Sequence, residues 1–412
     1  MAARLAIVCT HPIQYLAPWY RHLAQQPGLE VTVLYGSAHG LVEGGYEPEF
    51  GRAVRWDVDL ASGYRWELLR SHALRPDVTT FFGNLSLDVF PALRRERFDA
   101  VLIQGWNCAL YPLALMAARR AGLPVLLRGD SVRLPDAVEP PVQSSVPRLL
   151  KQKALGRYLA ACAAVLALSS GNRRRLRDLG VPAEKIFWSP LAVEGDRFAL
   201  PAAQRQAARR EVRAQLGLRD EGTPLVLFCA KLVPKKEPAL LVRAFAALRQ
   251  SGAPGHLVLA GEGPLRGEIE ALVAALRIPE VTLRGFVNQA ELPSLYAAAD
   301  LLVLPSSREE TFGLVVAEAL HAGLPVIASD HVGCAEDLVR PGETGLIFRN
   351  RDEADLTRCL QALCAGPEAA ALRARLGAGA VARMATWTYA ESTAGLLAAL
   401  AFALSGRRPG AR

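Results

Sequence analysis

A chain of 412 residues is too long for one ordinary hydrophobic core, so two domains of about 200 residues each are expected. Hydrophobic residues make up 51% and charged residues 21%, a balance that excludes a disordered chain. The formal net charge of +8 fits either solvated arginine-rich helix faces or adhesion to an anionic membrane surface or acidic acceptor. No aromatic and basic platform accompanies the charge, so nucleic acid is not expected as a partner.

The cysteines and the apolar runs indicate the compartment. The seven cysteines form no CxxC pair, and they are Cys9, Cys108, Cys162, Cys229, Cys334, Cys359 and Cys364. Several lie inside apolar runs, so we expect buried, reduced thiols and a cytoplasmic protein. The first apolar run, Arg4–Cys9, is too short for a signal segment and better suits a buried strand. No uninterrupted apolar run reaches the ~20 residues that cross a bilayer.

In the first half of the chain, short β-branched and leucine-rich runs alternate with longer helical patterns. The predicted strands are 5–10, 30–35, 100–104, 124–128 and 164–168, and helices are predicted between them, for example at 17–25, 109–121 and 146–161. This alternation predicts a parallel sheet with helices on both faces. Residues 36–65, rich in glycine and charge, are expected to form a long functional loop rather than core.

The strand pattern loosens at 190–205 and then restarts. The predicted strands of the second half are 224–230, 256–261, 281–285, 301–305, 325–329 and 345–348. The expected fold class is therefore α/β, with two doubly wound, Rossmann-like domains at 1–200 and 201–385. Residues 386–412 are expected to form a helix that packs back on the N-terminal domain, followed by a basic tail. Ligands of such sheets bind outside the carboxyl ends of the strands.

Polar residues follow the first three predicted strands of the second half. Lys231 and Lys236 lie on the loop after the first strand, where they either converge on a phosphate or remain solvated surface lysines. Gly261–Leu265, with Gly263 at its centre, is a weak signal that a plain strand-to-helix turn also explains. The loop 284–287, containing Phe286 and Val287, can offer backbone groups to a flat base.

Two glutamates flank the expected start of a helix after the fourth strand. Glu310 and Glu318 have seven residues between them, and the helix is expected to start near Gly313. Its free N–H groups and positive dipole end would face the same crevice as the lysines and form an anion site. Glu318 lies ~7.5 Å along the helix, at ~1.5 Å per residue, where a carboxylate can accept two ribose hydroxyls. Glu310 is placed to hold a second polyol, so the pattern indicates a nucleotide-sugar.

These motifs resemble those of the GT-B-fold retaining glycosyltransferases of family 4, a class that includes sucrose synthase and bacterial mannosyl- and glucosyltransferases. The resemblance runs from about Ala164 to Trp387 and rests most strongly on the Glu-x7-Glu motif. It implies GT-B architecture, with the two domains facing a central cleft. The chain departs from the family in reading Ala230-Lys-Leu232 where Gly-Arg-Leu is usual, so lysine replaces the bidentate fork of arginine.

The resemblance also implies roles for residues of the second half. The Lys231 and Lys236 equivalents hold the donor diphosphate, the Glu310 equivalent contacts the transferred sugar, and the Glu318 equivalent contacts the ribose. The other positions carried over as donor-binding are Thr311, Phe312, Gly313, Leu314, Gly263, Phe286 and Val287. Lys231, Lys236 and Glu310 are the expected catalytic residues.

In the first half the resemblance is diffuse, and four residues after strands are candidates for the acceptor or sugar side. His11 is either a hydrogen-bonding turn residue or a contact to donor phosphate or acceptor. Gln104 and Trp106 stand where the family often carries a histidine, and Trp106 is either a sugar-stacking platform or a core aromatic. Arg128 either pairs with Asp130 or helps to hold an anionic acceptor.

The expected activity is transfer of a sugar from a UDP- or GDP-sugar to an acceptor hydroxyl with retention, in polysaccharide, glycolipid or glycoconjugate synthesis. The acceptor is a sugar, a lipid-linked molecule or a small molecule, reached in the cytoplasm or peripherally at the inner membrane face. Neither a cofactor nor a metal is expected, since the lysines and the helix N-terminus would neutralise the departing diphosphate. The competing readings are an epimerase or phosphorylase of the same fold and a non-catalytic nucleotide-sugar-binding scaffold.

Overall fold

A computed structural model describes residues 2–41, 45–47, 52–132, 146–218, 222–307 and 310–406. Within them the chain divides into two compact units. Unit 1 comprises Met1–Gly45, Val58–Leu191 and Tyr389–Arg412, and unit 2 comprises Tyr46–Asp57 and Ala192–Thr388. The basic tail predicted after the last helix falls at 407–412, outside the described residues.

The strands and helices alternate along most of the described chain. The strands are β1 (Ala3–Cys9), β2 (Leu29–Tyr35), β3 (Gly45–Glu47), β4 (Arg52–Val54), β5 (Arg65–Leu68), β6 (Ala100–Ile103), β7 (Val125–Arg128), β8 (Ala164–Ala167), β9 (Ile186–Trp188), β10 (Leu225–Cys229), β11 (His256–Ala260), β12 (Val281–Gly285), β13 (Leu301–Leu304), β14 (Val326–Ser329) and β15 (Gly345–Phe348). The helices of the first half are α1 (Ala17–Ala24), α2 (Val89–Arg95), α3 (Leu110–Arg120), α4 (Val146–Ala160), α5 (Ser170–Asp178), α6 (Gly195–Phe198) and α7 (Ala202–Gln215). Those of the second half are α8 (Pro238–Gln250), α9 (Arg266–Leu276), α10 (Leu292–Ala298), α11 (Leu314–His321), α12 (Ala335–Leu338), α13 (Glu353–Cys364), α14 (Ala369–Met384) and α15 (Tyr389–Ser405).

Each unit is built on its own parallel sheet. In unit 1 the strand order is β5-β2-β1-β6-β7-β8-β9, and every pair is parallel. In unit 2 the order is β12-β11-β10-β13-β14-β15, again with parallel pairs. The central strands are buried along almost their whole length, as parallel strands covered by helices on both faces require. The predicted fold class, two doubly wound α/β domains, is confirmed.

Every predicted strand is present, with ends that differ from the prediction by at most two residues. The strands that the sequence did not reveal are short or exposed. β5 is an edge strand whose side chains are mostly exposed, and β9 has three half-buried residues, so neither carries the apolar run that marks a central strand.

The prediction of a long loop at 36–65 is wrong in part. β3 and β4 lie within it and form a separate two-stranded sheet. The segment Tyr46–Asp57 belongs to unit 2, whereas the residues on either side of it belong to unit 1. Strands of three residues are too short to leave a periodic signal in a glycine-rich and charged stretch.

The last helix, α15, belongs to unit 1, far from the rest of that unit in sequence. It packs against β7, β8 and β9. The buried Ser189 hydroxyl, which follows β9, donates a hydrogen bond of 2.7 Å to the Ser392 carbonyl. Gly395 brings the helix so close that an added Cβ would lie 1.8 Å from the carbonyl oxygen of Trp188. The glycine therefore sets the distance between α15 and β9.

All seven cysteines are buried and free of disulfide bonds, which confirms the expected reduced thiols. Within the described part of the chain, none of the helices combines the length and the apolar character that crossing a membrane requires.

Candidate active site

The candidate donor-side residues of unit 2 lie at the carboxyl ends of β10, β11, β12 and β13. β10 and β13 are neighbours in the sheet, although two other strands separate them in the chain. The strand order therefore reverses between them, and such a reversal opens a crevice outside the carboxyl ends of the two strands. The loops carrying Lys236 and Glu310 follow these two strands.

The loop after β10 and the glycine turn after β11 are joined by backbone hydrogen bonds. Leu232 N–H donates to the Glu262 carbonyl at 2.8 Å, and Leu265 N–H donates to the Leu232 carbonyl at 3.1 Å. Gly263 has φ +155°, and a Cβ there would lie 2.4 Å from the Leu232 carbonyl oxygen. The turn therefore requires glycine for close backbone approach, and Gly263 has a structural role whether or not it touches a ligand.

Lys236 and Glu310 are brought into direct contact. Their side chains form an ion pair, and the Ser306 hydroxyl donates to the same Glu310 oxygen at 3.1 Å. The two loops are also joined through the backbone, since Ser307 N–H donates to the Lys235 carbonyl at 2.8 Å. Lys231, at the start of the same loop, is half-buried. The ammonium group of Lys236 is thus held at the start of the loop that leads into α11.

The loop from Glu310 to the start of α11 is supported from behind by the loop after β14. Gly333 N–H donates to the Glu310 carbonyl at 3.1 Å, and Cys334 N–H donates to the Phe312 carbonyl at 2.9 Å. Gly313, with φ +91°, precedes the first residue of α11, as expected. The Phe312 ring is buried, with its centroid 6.5 Å from that of Trp387, so its backbone rather than its ring is available to a ligand. Thr311 and Leu314 are half-buried.

Glu318 lies one turn into α11 and is held by a tyrosine that sequence reasoning missed. The Tyr296 hydroxyl, on α10, donates to Glu318 Oε2 at 2.7 Å. Burial raises the pKa of the Glu318 carboxyl above its usual value, while the hydrogen bond from Tyr296 and the charge of Arg197 oppose the rise. A buried tyrosine hydroxyl needs a partner, and a tyrosine within the apolar helix Leu292–Ala298 is the sequence signal that could have revealed this contact.

Phe286 and Val287 follow β12, and both are half-buried. The segment Arg55–Asp57 of unit 2 lies against this loop. The Trp56 ring centroid is 6.3 Å from that of Phe286, and the Asn288 side chain donates to the Arg55 carbonyl at 2.8 Å. An aromatic surface from residues far apart in sequence therefore borders the loop predicted to receive the base.

On unit 1, His11 follows β1 and makes local contacts. Its Nδ1 lies 3.0 Å from the Thr10 hydroxyl, and its ring meets the His39 ring edge-on at a centroid distance of 5.2 Å. Burial and the neighbouring His39 lower the pKa of His11 to about 4, so the imidazole is neutral at physiological pH. The structure thus shows the turn contacts expected of His11 and leaves the predicted ligand contact untested.

Gln104, Trp106 and Arg128 lie together at the ends of β6 and β7. The Trp106 ring is half-buried and packs on Gly129, where a Cβ would come within 2.2 Å of the ring. The Arg128 guanidinium lies over the Trp19 ring, 4.5 Å from its centroid, and Nη1 donates to Gln104 Oε1 at 3.5 Å. Burial lowers the pKa of Arg128, and the nearby charge of Asp130 opposes that shift. Pairing with Asp130 and binding of an anionic acceptor both stay predictions for Arg128.

Two family models match the chain. One, for glycosyl transferases group 1, matches residues 209–381, and the other, for a glycosyl transferase 4-like domain, matches residues 12–192. An α-D-kanosaminyltransferase of Streptomyces kanamyceticus is 30% identical over 319 residues, which cover 74% of this chain and 76% of the relative. The chain belongs to the GT-B-fold glycosyltransferases of family 4.

A second relative of this glycosyltransferase is the GDP-mannose-dependent α-(1-6)-phosphatidylinositol monomannoside mannosyltransferase of Mycobacterium tuberculosis. It is 30% identical over 316 residues, covering 74% of this chain and 76% of the relative. Among solved structures, sucrose-phosphate synthase of Thermosynechococcus elongatus has a TM-score of 0.72 at 23% identity, covering 97% of this chain and 99% of the other. Anabaena HepE in complex with UDP has a TM-score of 0.70 at 18% identity, covering 97% and 100%.

Proposed function

We propose that this glycosyltransferase moves a sugar from a UDP- or GDP-sugar to an acceptor hydroxyl with retention of configuration. The observation that carries the proposal is the Lys236–Glu310 ion pair at the start of α11, beside the crevice between β10 and β13. A cation and a carboxylate at that point suit a phosphate and a sugar hydroxyl, respectively. Two relatives support the donor class, since one is named as GDP-mannose-dependent and another was crystallised with UDP.

In this proposal different residues of unit 2 bind different parts of the donor. Lys231, Lys236 and the free N–H groups at the start of α11 hold the diphosphate. Glu318, oriented by Tyr296, accepts the ribose hydroxyls, and Glu310 accepts hydroxyls of the transferred sugar. The remaining predicted donor contacts are Gly263, Thr311, Phe312, Gly313, Leu314, Phe286 and Val287.

The proposed chemistry is a front-face displacement. The bond between the anomeric carbon and the diphosphate oxygen breaks, the bond to the acceptor oxygen forms on the same face, and the acceptor proton passes to the departing diphosphate. Charge that develops on the diphosphate is neutralised by lysines already in place, which is how a preorganised site lowers a barrier. Glu310 positions the sugar in this scheme and forms no covalent intermediate, and neither a metal nor a cofactor has a role.

The acceptor is proposed to meet the residues at the carboxyl ends of the unit 1 strands, namely His11, Gln104, Trp106 and Arg128. Sugars, lipid-linked molecules and small molecules all present the hydroxyl that the reaction needs, and the products belong to polysaccharide, glycolipid or glycoconjugate synthesis. We place the reaction in the cytoplasm because all seven cysteines are free thiols. Peripheral contact with an anionic membrane face is part of the same proposal and rests on the net charge of +8.

Two other readings of the site predict different products. An epimerase would convert the nucleotide-sugar without an acceptor, and a phosphorylase would need phosphate. The family relatives named as transferases favour transfer over both, and over a scaffold that only binds. Labelled UDP- and GDP-sugars, first ranked by the thermal shift that each produces, are to be incubated with and without cell extract. Label that moves to a new product only when extract is present supports transfer.

Glu310→Ala tests the catalytic assignment. Turnover is expected to fall about 100-fold or more, because the transferred sugar loses its positioning contact. Nucleotide affinity is expected to stay the same or rise, because Lys236 is released from its ion pair. Initial rates and calorimetric titration with UDP and GDP measure the two effects, with the exposed Glu268→Ala on α9 as the matched control. Unchanged turnover would refute the role of Glu310.

Glu318→Ala tests the ribose assignment. Nucleotide affinity is expected to fall about 10- to 100-fold, which corresponds to the loss of hydrogen bonds to a charged group. Calorimetry with UDP and with its 2′,3′-dideoxy analogue isolates the ribose contact, since the two ligands differ only in the diol. Equal nucleotide affinity in the variant and the parent protein would contradict the assignment.

A further inference from the structure

Arg128 is a buried cation with few partners. The residue is only 5% exposed, and its Nε is fully enclosed without a hydrogen-bond partner in the part of the chain that the structure describes. A guanidinium carries five N–H donors, yet among the described residues only the 3.5 Å bond from Nη1 to Gln104 uses one. Taking a charge out of water without a paired carboxylate is costly, so a protein rarely keeps such a group for stability alone.

The surroundings of Arg128 hold it in one place. Its guanidinium lies over the Trp19 ring of α1, and Gln104, which accepts its hydrogen bond, donates in turn to the Tyr20 hydroxyl at 3.1 Å. Gln104 N–H donates to the Val8 carbonyl of β1 at 3.1 Å. The ends of the three adjacent strands β1, β6 and β7 therefore position the cation.

The loop that follows Arg128 is fixed by a second buried side chain, Asn172 at the start of α5. The Asn172 amide is fully buried and donates to the Gly129 carbonyl at 2.9 Å and to the Ser131 carbonyl at 2.6 Å. Its own oxygen accepts from Leu168 N–H at 3.0 Å. Asp130, between the two held carbonyls, influences the pKa of Arg128 but forms no ion pair with it among the described residues.

We propose that Arg128 binds an anionic group of the acceptor, so that the natural acceptor carries a phosphate or a carboxylate besides its reacting hydroxyl. The inference rests on the proposed function and narrows it, because a neutral sugar offers no negative charge to the buried guanidinium. A planar guanidinium with several unused N–H groups matches the paired oxygens of either anion. Gln104 and Asn172 are positioning residues in this site, the first through the guanidinium and the second through the loop.

The test measures anion binding by calorimetry on the full chain, with UDP or GDP present at saturation to fill the donor lysine site. The probes are inorganic phosphate, glucose 6-phosphate, glucuronate and glucose, so that phosphate, carboxylate and neutral sugar are distinguished. We expect at least one anion to bind and glucose to bind more weakly. Arg128→Met is expected to weaken that anion about 10- to 100-fold, the effect of losing charge-assisted hydrogen bonds.

A stability measurement separates a ligand site from a structural role. Arg128→Met replaces a buried charge, which forms no ion pair within the described part of the chain, by an apolar side chain. The ligand-free variant is therefore expected to unfold at the same temperature as the parent protein or higher. The anion is expected to raise the unfolding temperature of the parent protein and to leave that of the variant unchanged. Arg119→Met, at an exposed arginine of α3, is the matched control and is expected to change neither readout.

Arg128→Lys keeps the charge and decides the question if the methionine variant does not fold. It is expected to fold and to bind the anion about tenfold more weakly, since an ammonium lacks the planar fork. Absence of binding by all three anions to the parent protein, or equal binding by a folded Arg128 variant, overturns the proposal. Failure of both nucleotides to bind is instead a failure of the proposed function, and the same titrations on the free protein then decide the role of Arg128.

Discussion

Lys236 and Glu310 lie 74 positions apart in the chain and form the ion pair of the donor side. The contact has two consequences at the scale of single residues. It lowers the cost of burying either charge while no ligand is bound. In the proposed function, a phosphate replaces Glu310 as the partner of Lys236, and a sugar hydroxyl replaces Lys236 as the partner of Glu310. The hydrogen bond from Tyr296 to Glu318 likewise opposes the rise that burial causes in the pKa of this carboxyl.

Tyr296→Phe is predicted to change the pH dependence of nucleotide binding. Burial already raises the pKa of Glu318, and loss of the Tyr296 hydrogen bond, which lowers it, raises this pKa further. The proposed ribose contact needs the carboxylate, so affinity falls as pH drops through the pKa of Glu318, and in the variant this fall begins at higher pH. Calorimetric titration with UDP or GDP over a pH series measures the shift.

The raised pKa of Glu318 also determines in which direction the free energy of unfolding changes with pH. A carboxyl whose pKa is higher in the folded than in the unfolded state lowers stability above that pKa, and the loss is recovered as pH falls through it. The contribution of Glu318 to the free energy of unfolding should therefore become less unfavourable on acidification, more visibly in Tyr296→Phe. If nucleotide affinity falls with decreasing pH in the same way in the parent protein and in Tyr296→Phe, the assignment of Glu318 is contradicted.

At the scale of elements, glycines set the distances between loops and helices. Gly263 lets the turn after β11 approach the loop after β10, and Gly395 lets α15 approach β9. In both places a Cβ would meet backbone, which cannot move as a side-chain end can. These contacts join segments far apart in sequence, so the need for glycine was visible only as a turn signal at 261–265 and not at all at Gly395.

Gly395→Ala is predicted to lower the free energy of unfolding by about 1–3 kcal/mol, the usual cost of overpacking, although alanine is the better helix former. The reason is the added Cβ, which would lie 1.8 Å from the Trp188 carbonyl oxygen. The matched control is Gly267→Ala on α9, where a Cβ meets nothing within 4 Å, and which is predicted to raise stability by about 0.5–1 kcal/mol. Urea unfolding measures both, and equal effects of the two substitutions would show that α15 does not rest closely on β9.

At the scale of the whole molecule, the net positive charge of the chain affects how the proposed donor approaches. A formal net charge of +8 favours approach of an anionic nucleotide-sugar, and the local lysines are proposed to supply the neutralisation that some enzymes obtain from a metal. Each of the two parallel sheets has a row of loops at the carboxyl ends of its strands, and the proposed donor-side and acceptor-side residues lie on these two rows.

Treatment with excess EDTA is predicted to leave turnover unchanged, and Mg²⁺ is predicted to give no activation. Lys236→Ala, in contrast, is predicted to lower kcat about 100- to 1,000-fold, the range seen when one preorganised group facing a developing charge is removed. Initial rates with the donor chosen by thermal shift measure both effects, with the exposed Lys153→Ala as the control for loss of a lysine. A rate that collapses in EDTA and returns with Mg²⁺ would contradict the metal-independent scheme.

By itself, the sequence determined the fold class and every strand of the two large sheets except β5 and β9. Apolar runs in a buried parallel sheet leave a signal that depends on neighbours in sequence, and these two edge strands carry no such run. The sequence also placed Lys236 and Glu310 after two strands, β10 and β13, which the strand order makes neighbours in the sheet of unit 2. Only the tertiary structure decided the partners, namely Tyr296 for Glu318, Trp56 beside Phe286, and Trp19 and Gln104 for Arg128. Such contacts join side chains from distant elements, and their geometry depends on packing distances that no local pattern encodes.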